Sequence, residues 1–244
     1  MKAMILAAGV GSRLRPLTDQ IPKALIEVGG VPILEVLIRR LAQAGVREII
    51  LNLFHRSEQI VDFLKAKKYF GMRIEFSRED RLLDTGGGLK KAAWFFDDGR
   101  PFFLHNADIL TDLDLTQMVR FHIQGKNLIT LAVRKRKTGR TFLFGPDGLL
   151  RGRQSPEGGV EWAGPPLESA ERLAFDGIHV LSPNIFSKMN EEGVFPIHQT
   201  YLRLAGEGER IQAFLSNSSY WKTIGDLPRL EEARRFVEER GLKL

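Results

Sequence analysis

Leu6-Ala7-Ala8-Gly9-Val10-Gly11-Ser12-Arg13-Leu14-Arg15-Pro16-Leu17-Thr18 follows directly on a short apolar run that begins at Lys2, and Pro22-Lys23-Ala24-Leu25 stands close behind it. The apolar run, ending in small residues, reads as a buried strand, and the glycine-rich segment as the turn that leaves it. Small residues at Ala7, Ala8, Gly9 and Gly11 let backbone N–H groups approach a ligand, and consecutive amides in such a turn form an anion nest. Arg13 adds a planar, permanently charged fork suited to phosphate oxygens, and Lys23 a mobile point charge. Two familiar phosphate loops do not fit. A Walker loop needs Gly-Lys-Ser/Thr after its glycines, and the dinucleotide fingerprint needs a third glycine where Leu14 stands.

Outward from this loop, strands and helices alternate. Ile33, Leu34, Leu37, Ile38 and Leu41 mark a helical face, Glu48 to Leu53 a buried strand, and Ile60, Phe63 and Leu64 a second helical stripe. Arg73 to Ser77 alternates as a third strand, and Phe102 to Asn106 reads as a fourth, with Leu115, Val119 and His122 on the helix that follows. Such alternation means βαβ crossovers, and so an α/β fold: a Rossmann-like, mainly parallel sheet with helices on both faces. Ligands of these sheets bind beyond the carboxyl ends of the strands. The pattern changes after Asn127. Leu128 to Val133, Thr141 to Phe144, a Pro146-Asp147-Gly148 turn, Leu149-Leu150 and Val160-Glu161-Trp162 predict a small inserted β-region, partly antiparallel, over the sheet edge. Leu173 to Val180 reads as a later strand, Pro183 as a helix start, and Leu230, Ala233, Phe236 and Val237 as the apolar face of a C-terminal helix.

With 244 residues, 43% of them apolar, and no Ser/Gly/Pro-rich linker, the chain is expected to build one core in a single domain over 1–244. No apolar run is long enough to cross a bilayer, so no membrane partner is expected. The absence of cysteine excludes disulfides, thiolate metal sites and a Cys nucleophile, and with no export signal it points to the cytoplasm. The net charge of +6 suits an anionic partner. The one dense basic run, Arg134-Lys135-Arg136-Lys137, lacks interleaved aromatics for base stacking and reads as a solvated loop, so phosphorylated small molecules are expected rather than nucleic acid. A homo-oligomer is compatible with the chain, although pattern alone does not separate interface from core.

The Gly9-x-Gly11-x-Arg13-x-x-Pro16-Leu17-Thr18 loop followed by Pro22-Lys23-Ala24-Leu25 resembles the signature of the sugar-1-phosphate nucleotidyltransferase family. The resemblance implies a nucleotide-diphospho-sugar transferase fold with a nucleotide-binding half over about 1–126, a sugar-binding half over about 127–226 and a C-terminal helix at 227–240. It implies catalytic roles for Arg13 and Lys23 on the triphosphate, with Leu6, Ala7, Ala8, Gly9, Gly11 and Ser12 lying along nucleobase and phosphates. Leu83-Asp84-Thr85-Gly86-Gly87-Gly88 is similar to the Glu-Thr-Gly-Gly-Gly segment of the N-acetylmuramate 1-phosphate uridylyltransferase branch, with Asp84 where that branch has Glu. Gly87 and Gly88 are the nucleobase candidates there, and the likeness favours UTP, with GTP second, as in the mannose-1-phosphate guanylyltransferase branch. Asn106-Ala107-Asp108 closes the fourth strand, where the family places its metal-binding Asp, which implies a magnesium ion on Asp108. Asn106, Arg153 and Gly177 are the sugar-side candidates, while His179 suits a packed core as well as a contact.

One departure stands out. In Tyr220-Trp221-Lys222-Thr223-Ile224-Gly225-Asp226, similar to the family's Trp-x-Asp-x-Gly-Thr segment, Thr223 replaces the Asp that serves as second metal ligand. Either Asp226 takes over the metal through a shifted turn, or the chain is a catalytically weakened nucleotide-binding or regulatory relative. Asp112-Leu113-Asp114 has the form of the metal motif of glycosyltransferases that use nucleotide sugars, a further alternative. Its place before Leu115 suits a helix cap better.

Overall fold

Four apolar runs of the sequence become strands and the helical stripes between them become helices in the computed structural model, which describes residues 1–241. The elements in chain order are β1 (Lys2–Leu6), β2 (Glu27–Val28), β3 (Val31–Pro32), α1 (Ile33–Gln43), β4 (Glu48–Leu53), α2 (Ser57–Ala66) and β5 (Arg73–Arg78). There follow α3 (Asp84–Lys91), β6 (Phe102–Asn106), β7 (Ile109–Thr111), α4 (Leu115–Gln124), β8 (Ile129–Arg134), β9 (Thr141–Phe144), β10 (Leu150–Gln154) and β11 (Val160–Trp162). The chain continues through β12 (Glu171–Leu181), α5 (Ile197–Gly206), β13 (Ile211–Leu215), β14 (Trp221–Thr223) and α6 (Leu227–Arg240). Among the described residues no helix is long and apolar enough to cross a membrane.

The chain divides into two compact units that interleave along the sequence. The first holds Met1–Leu82, His105–Leu113 and the segment from Ser219 onward. Its strands β1, β4 and β5 are parallel, with Lys2 opposite Glu48 and Glu48 opposite Arg73, the pattern that βαβ crossovers dictate. β14 pairs antiparallel with β7, setting Thr223 opposite Ile109. α6 covers this part of the unit: Leu230, Ala233 and Val237 join Leu14, Ile26, Val28, Ile33, Val36, Leu110 and Ile224 in one buried cluster. The apolar face expected for the C-terminal helix is therefore the face that packs, and its Phe236 stacks on Tyr220 at 3.5 Å between ring centres.

The second unit holds Leu83–Leu104 and Asp114–Ser218. Here β8 runs antiparallel to β12 and parallel to β13, and the expected inserted region is the antiparallel set β9, β10 and β11, with β9 also beside β12. The register of β12 against β8 shifts between Phe175 and His179, and Gly177 sits in that irregularity with φ of 82°, where a side chain is strained. Pro183 opens a helix as expected, a six-residue 3₁₀ segment. Other features differ from expectation: α5 and β13 are additional elements, and Arg134 is not part of a solvated loop. Arg134 ends β8 and donates from Nε to both carboxylate oxygens of the buried Asp176 at 2.8 and 2.9 Å. Lys135 and Lys137 of the same run are exposed, so charge run and solvated loop coincide only in part.

After β1 the chain turns through short 3₁₀ segments at Ser12–Leu14, Leu17–Asp19 and Lys23–Leu25. Gly11 is left-handed at φ 67°, and a β-carbon there would meet Thr18 Cγ2 at 2.7 Å. The Gly11 carbonyl accepts from Leu14 N–H at 2.8 Å and from the Thr18 hydroxyl at 2.9 Å, so the turn is closed on itself. Gly11→Ala is expected to cost about 1–2 kcal/mol or more from the left-handed backbone alone, read as a lowered denaturant midpoint. An unchanged midpoint would show that the turn relaxes freely.

His122 in α4 is buried and its two ring nitrogens each lie 3.0 Å from a hydroxyl, that of Thr130 and that of Ser182. Burial pushes its pKa down to about 4 from 6.5. The unfolded chain then takes up the proton more readily between these values, and stability falls as pH falls from about 6.5 toward 4. Thermal melts across that window are expected to show a slope that His122→Gln reduces. An identical slope in the variant would place the acid sensitivity elsewhere.

Candidate active site

The loop residues begin where β1 ends. The Ala7 N–H donates to Asn52 Oδ1 at 2.8 Å, and Asn52 Nδ2 donates to Glu79 Oε1 at 2.7 Å, all three residues being buried. Ala7 and Ala8 are buried, Leu6 and Gly11 half-buried, and Gly9, Ser12 and Arg13 exposed, so the loop rises from the core to solvent. A β-carbon on Gly9 would meet nothing within 4 Å, unlike Gly11. Local packing thus accounts for Gly11 but leaves Gly9 open to what approaches from outside.

Lys23 and Asp108 come together. Their ammonium and carboxylate Oδ2 form an ion pair with both side chains mostly buried. Asp108 arrives by way of the Ala107 N–H, which donates to the Leu6 carbonyl at 3.2 Å, so the turn after β6 lies beside the end of β1. The Ile224 N–H donates to the Asp108 carbonyl at 3.0 Å, and the Thr223 hydroxyl to Asp108 Oδ2 at 3.2 Å. Arg13 lies against the same turn: a β-carbon on Gly225 would come 3.3 Å from its guanidinium. Lys23, Asp108, Arg13 and Thr223 therefore share one neighbourhood within the first unit, at the carboxyl end of its parallel strands. The arrangement pairs Lys23 with one carboxylate and sets Arg13 against the neighbouring turn, and it suits a polyanion that draws the cations onto itself.

Asp226 is directed elsewhere. It is the N-cap of α6, accepting from the Arg229 N–H at 3.1 Å with the Arg229 guanidinium 3.4 Å away. The residue that touches Asp108 is Thr223. Both carboxylates of Asp112-Leu113-Asp114 are also engaged. Asp114 caps α4 by accepting from Gln117 N–H at 2.8 Å, and Asp112 accepts from Tyr220 N–H at 2.6 Å. Asn106, half-buried, ends β6, and its carbonyl lies 2.8 Å from Nδ1 of His105. Burial holds His105 near pKa 4, so the imidazole is neutral at pH 7.

In the second unit, Gly86 and Gly87 donate to the Phe195 carbonyl at 3.0 and 3.3 Å. A β-carbon would meet the Phe195 ring at 2.3 Å from Gly86 and the Gly193 carbonyl at 2.3 Å from Gly87, so close packing with 193–195 requires both glycines. Gly88 is buried in the same helix, α3. His179 is a core residue, its Nδ1 at 2.7 Å from the Tyr201 hydroxyl. Arg153 is half-buried on β10, opposite Phe142 on one side and Glu161 on the other. Burial first, and the charge of Arg140 second, pull its pKa below the usual value, and burial first, with the charge of Arg153 second, holds half-buried His198 near 4. The pair Asn52 and Glu79 was not singled out in sequence, although a polar residue inside Ile49-Ile50-Leu51-Asn52-Leu53 is the kind of exception that marks one.

Known proteins agree with this architecture. The chain matches the family described as nucleotidyl transferase over residues 2–240. It is 32% identical over 247 aligned residues to an N-acetylmuramate alpha-1-phosphate uridylyltransferase of Neisseria meningitidis serogroup B, covering 97% of this chain and 98% of the relative. It is 30% identical over 227 residues to a mannose-1-phosphate guanyltransferase of Yarrowia lipolytica, covering 92% of this chain but spanning only 61% of that protein's length. Among solved structures, a UDP-glucose pyrophosphorylase complexed with UDP-glucose superposes with a TM-score of 0.77 at 18% identity, over 98% of both chains, a likeness of fold. With its α/β fold, its loop and a match that runs almost end to end, the chain belongs to the nucleotidyl transferase family.

Proposed function

We propose that this protein transfers a nucleotidyl group from a nucleoside triphosphate to a sugar 1-phosphate. The observation that carries the reading is the meeting of Lys23 with Asp108 beside the loop that bears Arg13. A phosphate oxygen of the sugar 1-phosphate forms a bond to the α-phosphorus, the bond to the bridging oxygen breaks, and pyrophosphate leaves with the negative charge. Lys23 and Arg13 hold the triphosphate and neutralise that charge, while the backbone from Leu6 to Ser12 lies along nucleobase and phosphates. UTP is the favoured donor and GTP the second. The likeness of the glycine segment to the uridylyltransferase branch and the end-to-end match to a uridylyltransferase support that order.

Magnesium suits the residues present. The ion keeps several waters and takes one or two carboxylates plus substrate phosphates, and Asp108 supplies one carboxylate with Oδ1 unpaired among the described residues. When bound, the ion would offset charge on the phosphoryl oxygens. Arg153 is the anchor we assign to the sugar phosphate, supported by its half-buried, charge-crowded position next to Arg140.

Purified protein with magnesium and a panel pairing UTP, GTP, dTTP and CTP with several sugar 1-phosphates is expected to release pyrophosphate for one pair. Asp108→Asn and Lys23→Ala should each lower turnover on the order of a hundredfold or more, and release that survives both changes would sink the assignment. Arg153→Ala is expected to raise KM for the sugar phosphate about tenfold, the scale of one lost charge-assisted hydrogen bond, with KM for the triphosphate unchanged. An unaltered sugar-phosphate KM would remove Arg153 from the site.

A further inference from the structure

Both partners of the Asp108 carboxylate act on the same oxygen. Lys23 forms its ion pair with Oδ2, and the Thr223 hydroxyl donates to Oδ2 at 3.2 Å. Oδ1 has no protein partner among the described residues. Asp226, the nearest carboxylate in sequence to Thr223, is committed to the N terminus of α6 and to Arg229. Among the described residues no three His, Cys, Asp or Glu side chains form a group able to hold a metal ion.

A divalent cation approaching this protein alone therefore meets one carboxylate oxygen whose charge is already balanced by an adjacent ammonium. Hard cations of this class need several oxygen ligands, and the ammonium repels them. A bound triphosphate reverses both conditions, because its oxygens are ligands in their own right and its charge draws Lys23 away from Asp108.

From this geometry we propose that Thr223 is a positioning residue that pins Oδ2 of Asp108 and leaves Oδ1 as the protein's single ligand oxygen, so that the divalent cation is held only together with a triphosphate. The inference rests on the nucleotide reading above and extends it. Threonine at this position keeps the carboxylate oriented without adding the negative charge that would make a standing cation site. The position thereby decides whether metal binding is independent of nucleotide or conditional on it.

The test uses Mn²⁺ as a spin probe, titrated into the purified protein alone and into protein saturated with a non-hydrolysable UTP or GTP analogue. Binding of the metal-free analogue is measured separately by calorimetry. The wild type is expected to hold Mn²⁺ on the order of a hundredfold more tightly in the ternary complex than alone, within the usual range of coupling between two ligands. Thr223→Asp should bind one Mn²⁺ without nucleotide. Thr223→Val, which keeps the shape and loses the donor, should hold Mn²⁺ about tenfold more weakly in the ternary complex, with affinity for the metal-free analogue unchanged. Circular dichroism verifies that the variants are folded, and the wild-type comparison stands without them. Tight Mn²⁺ binding by the nucleotide-free wild type overturns the conditional site while leaving the nucleotide reading intact. Ternary-complex affinity equal to wild type in Thr223→Val overturns the positioning role. If neither analogue binds, the nucleotide reading falls, and this inference with it.

Discussion

Lys23 and Asp108 stand 85 positions apart and form an ion pair whose side chains are only 18% and 19% exposed. At that degree of burial each charge depends on the other, because neither keeps the hydration it would have at the surface. Three segments are tied to this pair. The loop after β1 contributes Lys23, the turn after β6 contributes Asp108 and reaches Leu6 through Ala107, and the end of β14 adds Thr223 with the Ile224 amide just beyond it. The groups suited to reaction are thus also the groups that hold these segments to one another. A ligand that withdraws Lys23 would leave Asp108 to the Thr223 hydroxyl and the backbone around it.

The parallel strands were legible because burial on both faces leaves near-continuous apolar runs such as Glu48 to Leu53, and the helices because their apolar residues recur at three and four. The turn after β1 was legible for a different reason: a cluster of small residues and glycines breaks off the apolar run. The second unit was harder. β13 has one fully buried residue, Ile211, among partly exposed neighbours, and α5 lies between turn-forming stretches that do not announce a helix. Arg134 shows the limit of reading charge locally, since its partner Asp176 lies 42 positions away. Nothing within four residues of either distinguishes a buried pair from a solvated run.

The glycines of the candidate site divide in the same way. Gly11, Gly86 and Gly87 are required by contacts inside the protein, with Thr18, Phe195 and Gly193 respectively. Gly177 is required by the irregularity of β12. Gly9 faces open space, so its absence of a side chain is not explained by the protein's own packing. A glycine motif in sequence merges positions fixed by packing with positions open to solvent, and it takes the neighbouring atoms to part them. The structural place of Asp226 was hidden for a related cause. Asp226 has the chemistry of a metal ligand, but its place just ahead of Pro228 and Arg229 makes it a helix cap.

The interleaving of the two units has a consequence for how the molecule is made. The core of the first unit needs Ile224, Leu230, Ala233 and Val237, which are translated after every residue of the second unit. During synthesis the N-terminal strands must wait, with apolar surface uncovered, while some hundred residues of the other unit emerge and fold. The Lys23–Asp108 pair is available earlier than the helix that covers its surroundings. Premature release of the nascent chain before α6 would thus leave an aggregation-prone product, because the loop after β1 would rest on an open core.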